Sequence, residues 1–432
     1  MSSFFSKLLT RMSPAPGAPE PDPTALRDER DTFALRVQAI LAAVGLGATY
    51  DPEEFALRLA GGSVSWLGNR FDEYRRAPES DRESIVLHVA RGIVDAGQPS
   101  PVADDWSTAR LHLRPRIRQR AHLVILGLQM EADGLDARGL LHAFVPITTD
   151  LGAEVMFDTP TNIVSIPSGK LESWSVDPHE ALEVSIANLR ASAPEPFRAI
   201  GDGVYAAVVG DCYDSARMLL VDEVAALPVD GEPVALPANR DTLVITGADN
   251  VGGLYRVLQI ALAVLDRPRM DTLQPAVLRD GRWTDWLPPP GHPMREAYYE
   301  LAVRTRGTSY AELRDLLLRR NEQQGSDLFV ASYGVYRAGK SEPPWSHAIW
   351  PPVRGWLPEA DLVSVLNPED DRYIVVPRAA LLSFASHLLR PVEGVHPPYL
   401  AFDGAPDRGL WLRLREHALR EGTMARRADL PR

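Results

Sequence analysis

The spacing of apolar residues predicts two helices near the start of the chain. The first has one apolar face, made by Phe33, Val37, Ile40, Leu41 and Val44. Thr24 can cap this helix, and Gly45 and Gly47 end it. A second helical pattern runs from Asp81 to Ala96. The first hundred residues are therefore expected to be rich in helix.

Beyond residue 105 the pattern changes to short apolar runs between polar turns, which is typical of strands. Four such runs come first: LHLRPRIRQ, HLVILGLQM, LHAFVPITTDLGAEVMFD and NIVSIPS. The helix DPHEALEVSIANL follows, with Asp177 as its cap and Pro178 in its first position. Strands and helices then alternate as VYAAVVG, DSARMLLVDEVAAL, EPVALPAN, DTLVITG and GLYRVLQIALAVL. This order predicts a mixed β-sheet with packed helices.

A proline-rich segment at about 279–293 interrupts these patterns and marks a domain boundary. After it, SYAELRDLLLRRNEQQG is punctuated as a helix, with Ser309 as cap and Gly325 past its end. The strands DLFVASYGVY, DLVSVLN and YIVV and the helix PRAALLSFASHLL follow. We therefore predict an α+β protein of two domains, 25–285 and a smaller 294–425, after a disordered tail, 1–24, that ends in alternating proline and small or acidic residues.

Composition and charge exclude several classes of protein. The 432-residue chain has a net charge of −12, which argues against nucleic acid as a partner because phosphate binding needs clustered positive charge. Cys212 is the only cysteine, so the chain cannot form an internal disulfide, as expected of a cytoplasmic protein. No apolar run approaches the ~20 residues of a membrane span. Histidine and cysteine spacings predict no metal site, and nothing in the sequence indicates a cofactor.

The stretch GVYRAGKS, Gly334 to Ser341, has the spelling of a phosphate-binding P-loop. A P-loop requires a helix directly after it, whose backbone N–H groups surround the phosphates. Pro343 and Pro344 occupy that position here, and prolines there remove N–H donors and clash with the preceding turn. We therefore expect a turn with Lys340 in solvent, and nucleotide hydrolysis at this loop is the alternative.

Cys212 is a second candidate for catalysis, because it lies between a predicted strand and a predicted helix, where nucleophiles often occur. Asp211 and Asp214 flank the thiol and would disfavour its charged form. We favour a structural role for this side chain, and a hydrolase with a Cys212 nucleophile is the alternative.

A cluster of aromatic residues between prolines is the strongest candidate for a binding surface. It contains Trp345, His347, Trp350 and Arg354, with Trp356 close by. The competing interpretation, which we favour, is that these tryptophans fill the core of a small domain. A second candidate ligand site is the turn formed by Asn239, Arg240 and Asp241, whose simpler explanation is a hairpin in which the Asn and Asp side chains bond the backbone.

Several stretches together resemble the YtpQ-like family, a bacterial domain family of unknown function. They are VSWLGNRFDEYRRAPESDRESIVLHV, LRPRI, VPITTDLGAEVMFDTP, SIANL, DCYDSARMLL and LPANRDTLVITG, and the resemblance covers roughly residues 32–268. The resemblance implies a cytoplasmic bacterial protein with a mixed helix–sheet domain. It implies no activity and no catalytic residue, and it does not extend to residues 294–425.

No constellation in the sequence argues for catalysis more strongly than for structure. The prediction is therefore a soluble, non-catalytic binding or regulatory protein whose partner is another protein or a small molecule. The alternative is a hydrolase that uses either Cys212 or the loop from Gly334 to Ser341, so the sequence leaves open whether the chain is an enzyme.

Overall fold

A computed structural model describes residues 23–96, 102–132, 134, 141–159, 162–264, 274–337 and 344–423. The described residues form helices and several separate β-sheets, so the predicted α+β class is confirmed. Within these ranges, no helix combines the length and the hydrophobicity needed to cross a lipid bilayer.

The first unit packs three helices on a small antiparallel sheet. Its elements are α1 (Pro23–Ala43), β1 (Ala48–Asp51), β2 (Ala56–Leu59), β3 (Val64–Trp66), α2 (Gly68–Arg76) and α3 (Glu79–Ala96). Phe33, Val37 and Leu41 of α1 are fully buried against Phe71 of α2, as the helical spacing predicts. Both predicted helices are confirmed, whereas the three-stranded sheet was not predicted.

The next segment forms a four-stranded sheet with helices at its sides. It contains α4 (Trp106–Ala109), β4 (Leu113–Gln119), α5 (Arg120–Ala132), β5 (Phe144–Pro146), β6 (Leu151–Asp158), β7 (Ile163–Ser165), α6 (Ser168–Trp174) and α7 (Pro178–Ser192). Asp177 caps α7 by accepting a hydrogen bond from His179 N, and Pro178 occupies its first turn, so the predicted cap is confirmed.

The run from His122 to Met130, predicted as a strand, belongs to helix α5 instead. A short apolar run does not by itself distinguish a buried strand from a buried helix. Ile125 and Leu128 are buried in a cluster with Leu313 and Leu317 from a distant helix, and that tertiary contact favours the helical form.

A six-stranded antiparallel sheet, in the order β13-β12-β10-β11-β9-β8, follows. Its elements are β8 (Phe197–Gly201), β9 (Val204–Ala207), a 3₁₀ turn (Ser215–Leu219), α8 (Val221–Ala225), β10 (Pro233–Asn239), β11 (Thr242–Gly247), α9 (Val251–Val264), β12 (Ala276–Arg279) and β13 (Arg282–Asp285). The helix predicted over DSARMLLVDEVAAL is split in two, because the backbone of Leu220 (φ −79°, ψ 68°) lies outside the helical region.

Helix α10 (Arg295–Gln323) connects the two halves of the protein. Its first turns, with Tyr298 and Leu301, pack on the six-stranded sheet, and Tyr310 and Leu313 pack against α5 and the C-terminal residues. The helix predicted to begin at Ser309 starts fourteen residues earlier, and Ser309 is buried in its middle. Tertiary packing on both sides supports a helix through a Thr-Arg-Gly-Thr-Ser run of weak helix formers.

The C-terminal region contains a mixed five-stranded sheet, β15-β16-β18-β19-β22, and a four-stranded sheet, β14-β17-β21-β20. Its elements are β14 (Phe329–Val330), β15 (Gly334–Tyr336), β16 (Trp345–Trp350), β17 (Gly355–Pro358), β18 (Leu362–Leu366), β19 (Arg372–Pro377), α11 (Arg378–Ala385), β20 (Arg390–Pro391), β21 (Tyr399–Phe402), α12 (Arg408–Arg415) and β22 (Arg420–Thr423). Leu381 of α11 and Trp411 of α12 cover one face of the five-stranded sheet.

Candidate functional site

Strand β16 sends the residues of the predicted aromatic cluster to opposite faces of its sheet. Successive side chains of a strand alternate between faces, so Trp345, His347 and Ile349 share one face, and Trp350 lies on the other. Trp350 is 0% exposed, and its indole Nε1 donates a hydrogen bond to Gly404 O at 2.8 Å. The core-filling interpretation therefore holds for Trp350, whereas Ile349 on the opposite face is 40% exposed.

Three aromatic rings meet where β15 pairs with β16. The ring centroids of Tyr336 and Trp345 are 5.2 Å apart in a stacked arrangement. His347 contacts both rings edge-on, at 5.6 Å from Tyr336 and 6.0 Å from Trp345. Tyr336 is 51% exposed, so this group of rings reaches the surface.

Strand register extends this surface across the whole sheet. Paired residues on neighbouring strands point to the same face; His347 pairs with Leu362, and Ile349 pairs with Ser364. Ser364 pairs in turn with Val375, and Leu366 with Tyr373. We call the resulting surface the open sheet face; its large side chains are Tyr336, Trp345, His347, Ile349, Leu362, Leu366, Tyr373 and Val375, with the exposed Arg420, which pairs with Val375, on the edge strand β22.

Glycines on the two edge strands allow tyrosine rings to lie flat on the open sheet face. A Cβ atom on Gly334 would lie 2.4 Å from the ring of Tyr336, and one on Gly422 would lie 2.7 Å from the ring of Tyr373. A side chain at either position would therefore displace the tyrosine ring that lies over it. The glycines thus widen the aromatic surface at each edge of the sheet.

The central strands contribute no charged side chain to the open sheet face. His347 is held by a hydrogen bond between its Nε2 and Ser364 Oγ at 2.8 Å. Burial lowers the pKa of His347, so the imidazole is neutral at pH 7. The positions that face this side on β16, β18 and β19 are otherwise apolar, apart from Ser364.

Arg354 and Trp356, which neighbour the cluster in sequence, are not part of the open sheet face. The Arg354 side chain is 74% exposed, lies 4.0 Å from Asp403, and lines a different cleft together with Arg314. Trp356 belongs to the other C-terminal sheet, where its ring contacts Tyr399. The tertiary structure therefore brings together only Trp345 and His347 of the four predicted residues.

The predicted Asn239-Arg240-Asp241 site is a turn between β10 and β11. Asn239 is buried, and its side-chain oxygen accepts a hydrogen bond from Asp241 N at 3.0 Å. The Arg240 guanidinium binds the Asp241 carboxylate at 2.8 Å. This is the self-bonded hairpin that was the simpler explanation of the sequence.

The Arg240 turn contacts the loop that holds Cys212. Ser215 N donates to Arg240 O at 3.1 Å. Burial would lower the pKa of Arg240, but the hydrogen bond to Asp241 and the attraction of Asp241 and Cys212 outweigh it and raise that pKa. Two segments that the sequence analysis considered separately are therefore neighbours, and the Cys212 thiol lies in the field of a cation.

A buried arginine organises the Cys212 loop. Arg217 is 0% exposed and binds Asp211 through two hydrogen bonds of 2.7 Å, with a third contact to Asp214 at 3.3 Å. Asp214 also accepts hydrogen bonds from the backbone N–H groups of Val209 and Gly210. This network holds Cys212 at a left-handed φ of 71°, which is uncommon for a residue other than glycine.

The two aspartates that flank the thiol differ in their electrostatics. Burial would raise the pKa of Asp211, but the hydrogen bonds and charge of Arg217 lower it overall. Burial raises the pKa of Asp214, although the hydrogen bonds that it accepts from the backbone N–H groups of Gly210 and Val209 act in the opposite direction. In the sequence both are repulsive neighbours of Cys212 and candidate helix caps; Asp214 makes no side-chain cap hydrogen bond to the 3₁₀ turn that follows it. Arg217, whose charge compensates Asp211, gave no signal in the sequence.

The P-loop-like stretch lies at a β-hairpin. Gly334 to Tyr336 form β15, which pairs antiparallel with β16, and Tyr336 lies opposite Trp345. Lys340 and Ser341 lie outside the described residues. Among the described residues that follow, Trp345 to Trp350 form a strand, whereas a P-loop is followed by a helix.

Comparison of the chain with known protein families, with curated proteins and with solved structures found no match. The resemblance to the YtpQ-like family therefore stays a prediction. Within the described part of the chain, no group of three or more His, Cys, Asp or Glu side chains is arranged to hold a metal ion.

Proposed function

We propose that this chain is a non-catalytic binding or regulatory protein, and that it docks a protein partner on the open sheet face. The observation that carries this proposal is that strands β16, β18 and β19 present large apolar side chains on both faces. Sheets whose strands are apolar on both faces are normally covered on both sides. Helices α11 and α12 cover one side, and the partner would cover the other.

The chemistry of the open sheet face favours one kind of occupant. Its central strands offer aromatic and aliphatic side chains and a neutral imidazole, so a charged group placed over these strands would lose its hydration without gaining an ion pair. Arg420 carries a charge at the edge of the face, on β22. A nucleic acid would find no cluster of cations on these strands. The partner is therefore a protein with an uncharged, apolar patch, which matches the aromatic-rich centre of typical protein interfaces.

The aromatic group of Tyr336, Trp345 and His347 would be the energetic centre of this interface. Large aromatic side chains contribute much of the free energy of binding in protein complexes, because they bury a large area with little loss of side-chain freedom. The two edge glycines, Gly334 and Gly422, would allow a flat partner surface to approach closely. The resemblance to the YtpQ-like family adds the expectation that binding takes place in a bacterial cytoplasm.

A charge at the centre of the face tests the proposal. Ile349→Lys replaces an exposed side chain of the face, and Leu35→Lys makes the same change at an exposed position of helix α1. Wild type and both variants would be immobilised and exposed to an extract of the source cells. Proteins retained by wild type and by Leu35→Lys but lost with Ile349→Lys would be identified, purified and mixed with the pure chain.

We expect the purified partner to form a stoichiometric complex with wild type. Ile349→Lys should weaken this complex at least tenfold, because a desolvated, unpaired charge costs a few kcal/mol. Light scattering on the pure chain tests whether a second copy is the occupant, which would show as a dimer that Ile349→Lys dissociates. Identical behaviour of wild type and Ile349→Lys in both experiments would refute the proposal.

A hydrolase with Cys212 as nucleophile is the second candidate. It is favoured by one observation, the position of the thiol on a braced turn between β9 and a 3₁₀ turn, next to Arg240. A nearby cation promotes the thiolate, which is the reactive form. The rate at which thiol reagents modify Cys212 tests this candidate, as described in the Discussion.

A further inference from the structure

A cleft lies between the end of strand β4 and helix α10, and it shares no lining residue with either candidate site. It has a volume of about 190 Å³ and is lined by Arg118, Gln119, His122, Thr308, Ser309 and Glu312, among others. A cavity of about 150 Å³ accommodates benzene. The cleft therefore has room for a molecule of about that size or slightly larger.

One arginine, Arg118, stands on the inner wall of the cleft, although the chain as a whole carries a charge of −12. Strand β4 alternates core residues with Arg114, Arg116 and Arg118, so its three guanidinium groups leave the strand on one face. Glu154, on the adjacent strand β6, is opposite Arg116 in the register, and its carboxylate lies 3.8 Å from Arg118. Arg118 is the member of this row that lines the cleft.

The remaining polar groups of the inner wall are neutral donors and acceptors. Burial and the nearby charge of Arg118 together lower the pKa of His122 to about 4, against the opposing charge of Glu154. His122 is therefore an uncharged imidazole at pH 7. Ser309 Oγ lies 3.2 Å from Gln119 Oε1, so a hydroxyl and an amide stand side by side at the junction of β4 and α10.

We infer that this cleft binds a small monocarboxylate that carries an amino or hydroxyl group, a molecule of the size of an amino acid or a hydroxy acid. The carboxylate would face Arg118, whose planar fork of N–H donors matches carboxylate geometry. Glu312 lines the same cleft but is exposed on helix α10, and its negative charge disfavours a second carboxylate on the ligand. The same charge attracts an ammonium or hydroxyl group at the outer end of the ligand.

Two pairs of probes separate these contributions. L-lactate and L-serine carry the carboxylate, and L-lactamide and L-serinamide have the same shape without that charge. Binding of each probe to the full chain would be followed by ligand-observed NMR.

Arg118→Gln removes the proposed carboxylate contact, and Thr308→Phe fills the cleft from an exposed helix position, where the change is compatible with folding. Arg319→Gln, at an exposed position further along α10, is the matched control.

We expect lactate and serine to bind wild type and Arg319→Gln equally well. They should bind Arg118→Gln at least about tenfold more weakly, because one charge-assisted contact is lost. They should bind Thr308→Phe at least about tenfold more weakly, because the phenyl ring fills the cleft. Both amides should bind at least tenfold more weakly than their acids. Glu312→Gln should weaken serine more than lactate. The inference is overturned if neither acid binds wild type, if the amides bind as well as the acids, or if Thr308→Phe binds like wild type.

Discussion

His396 Nε2 lies 3.0 Å from Asp150 Oδ1, although 246 residues separate the two in sequence. Asp150 is in the turn before β6, and His396 is in the loop before β21. Arg306 of helix α10 contacts the second carboxylate oxygen of Asp150 at 3.3 Å. One carboxylate thus joins the central sheet, the connecting helix and the C-terminal region.

The Asp150 contacts predict a loss of stability in acid. Burial would raise the pKa of Asp150, but the hydrogen bond to His396 and the charge of Arg306 outweigh it and lower that pKa. A carboxyl whose pKa is lowered by folding stabilises the protein above its unfolded pKa of about 3.9, and this stabilisation is lost as the pH falls through the folded value. Asp150→Asn should therefore reduce the free energy of unfolding by about 2 kcal/mol at pH 7 and by much less well below pH 4.

Urea unfolding between pH 7 and pH 2 measures this difference. Asp222→Asn is the control, because that side chain is almost fully exposed. A difference between Asp150→Asn and wild type that stays constant over the whole pH range would contradict the assignment.

Replacing Arg217 should be strongly destabilising. The side chain is fully buried and pairs with Asp211 and Asp214, so Arg217→Met leaves the buried Asp214 carboxylate and the partly exposed Asp211 carboxylate without their cation. Breaking a buried ion pair in this way costs about 3–5 kcal/mol. Arg217→Lys should not restore stability, because an ammonium cannot reproduce the two parallel hydrogen bonds to Asp211.

Chemical denaturation of these variants tests the prediction against Arg190→Lys. Arg190 is half-exposed and pairs with Glu223, and such surface pairs contribute at most about 1 kcal/mol. Equal losses of unfolding free energy for Arg217→Lys and Arg190→Lys would contradict the prediction, because the buried Arg217 network would then contribute no more to stability than a surface ion pair.

Gly247 is required at the end of β11 for a steric reason. A Cβ atom there would lie 1.8 Å from Asp230 O, a backbone atom that cannot rotate away. Gly247→Ala should therefore cost about 1–3 kcal/mol or more, as overpacking does. Gly61→Ala, where a Cβ has no heavy atom within 4 Å, should change stability by less than about 0.5 kcal/mol. Thermal unfolding of both variants compares them, and similar melting temperatures would contradict the close approach at Gly247.

Cys212 should react with thiol reagents at a rate that depends on Arg240. The chain has one cysteine, so reaction with Ellman's reagent reports on this site alone. Arg240→Met removes the neighbouring positive charge and should slow the reaction severalfold at pH 7, because less of the thiol is ionised. Arg279→Met is the control, since Arg279 pairs with Glu232. A rate that is slow in wild type and unchanged in Arg240→Met would remove the support for a Cys212 nucleophile.

Local patterns predicted much of the secondary structure and the places where local chemistry decides the geometry. The cap at Asp177 and the Asn239 turn follow from side chains that bond backbone groups one or two residues away, so neighbouring residues suffice to predict them. The predictions failed at α5 and at the start of α10. In both places residues far apart in sequence pack together, and that packing outweighs local preference.

The candidate surface shows the same division. The stretch WSHAIW places two tryptophans five positions apart, and from the sequence alone we expected both of them to be buried in a core. Strand alternation could have separated Trp345 from Trp350, and the apolar run YIVV could have signalled a sheet that is apolar on both faces. Tyr336, Ile349 and Tyr373 gave no local signal, because their membership of one surface depends on strand pairing.

The amino-acid sequence by itself determined the α+β class, the cap at Asp177, the Asn239 turn and the acidic balance of the chain, since each depends on composition or on contacts between near neighbours. Only the tertiary structure decided which side chains share a surface: the open sheet face, Arg240 beside Cys212, and His396 on Asp150. The physical reason is that strand register and helix packing are set by the burial of the whole apolar surface, a sum over distant residues that no local stretch contains.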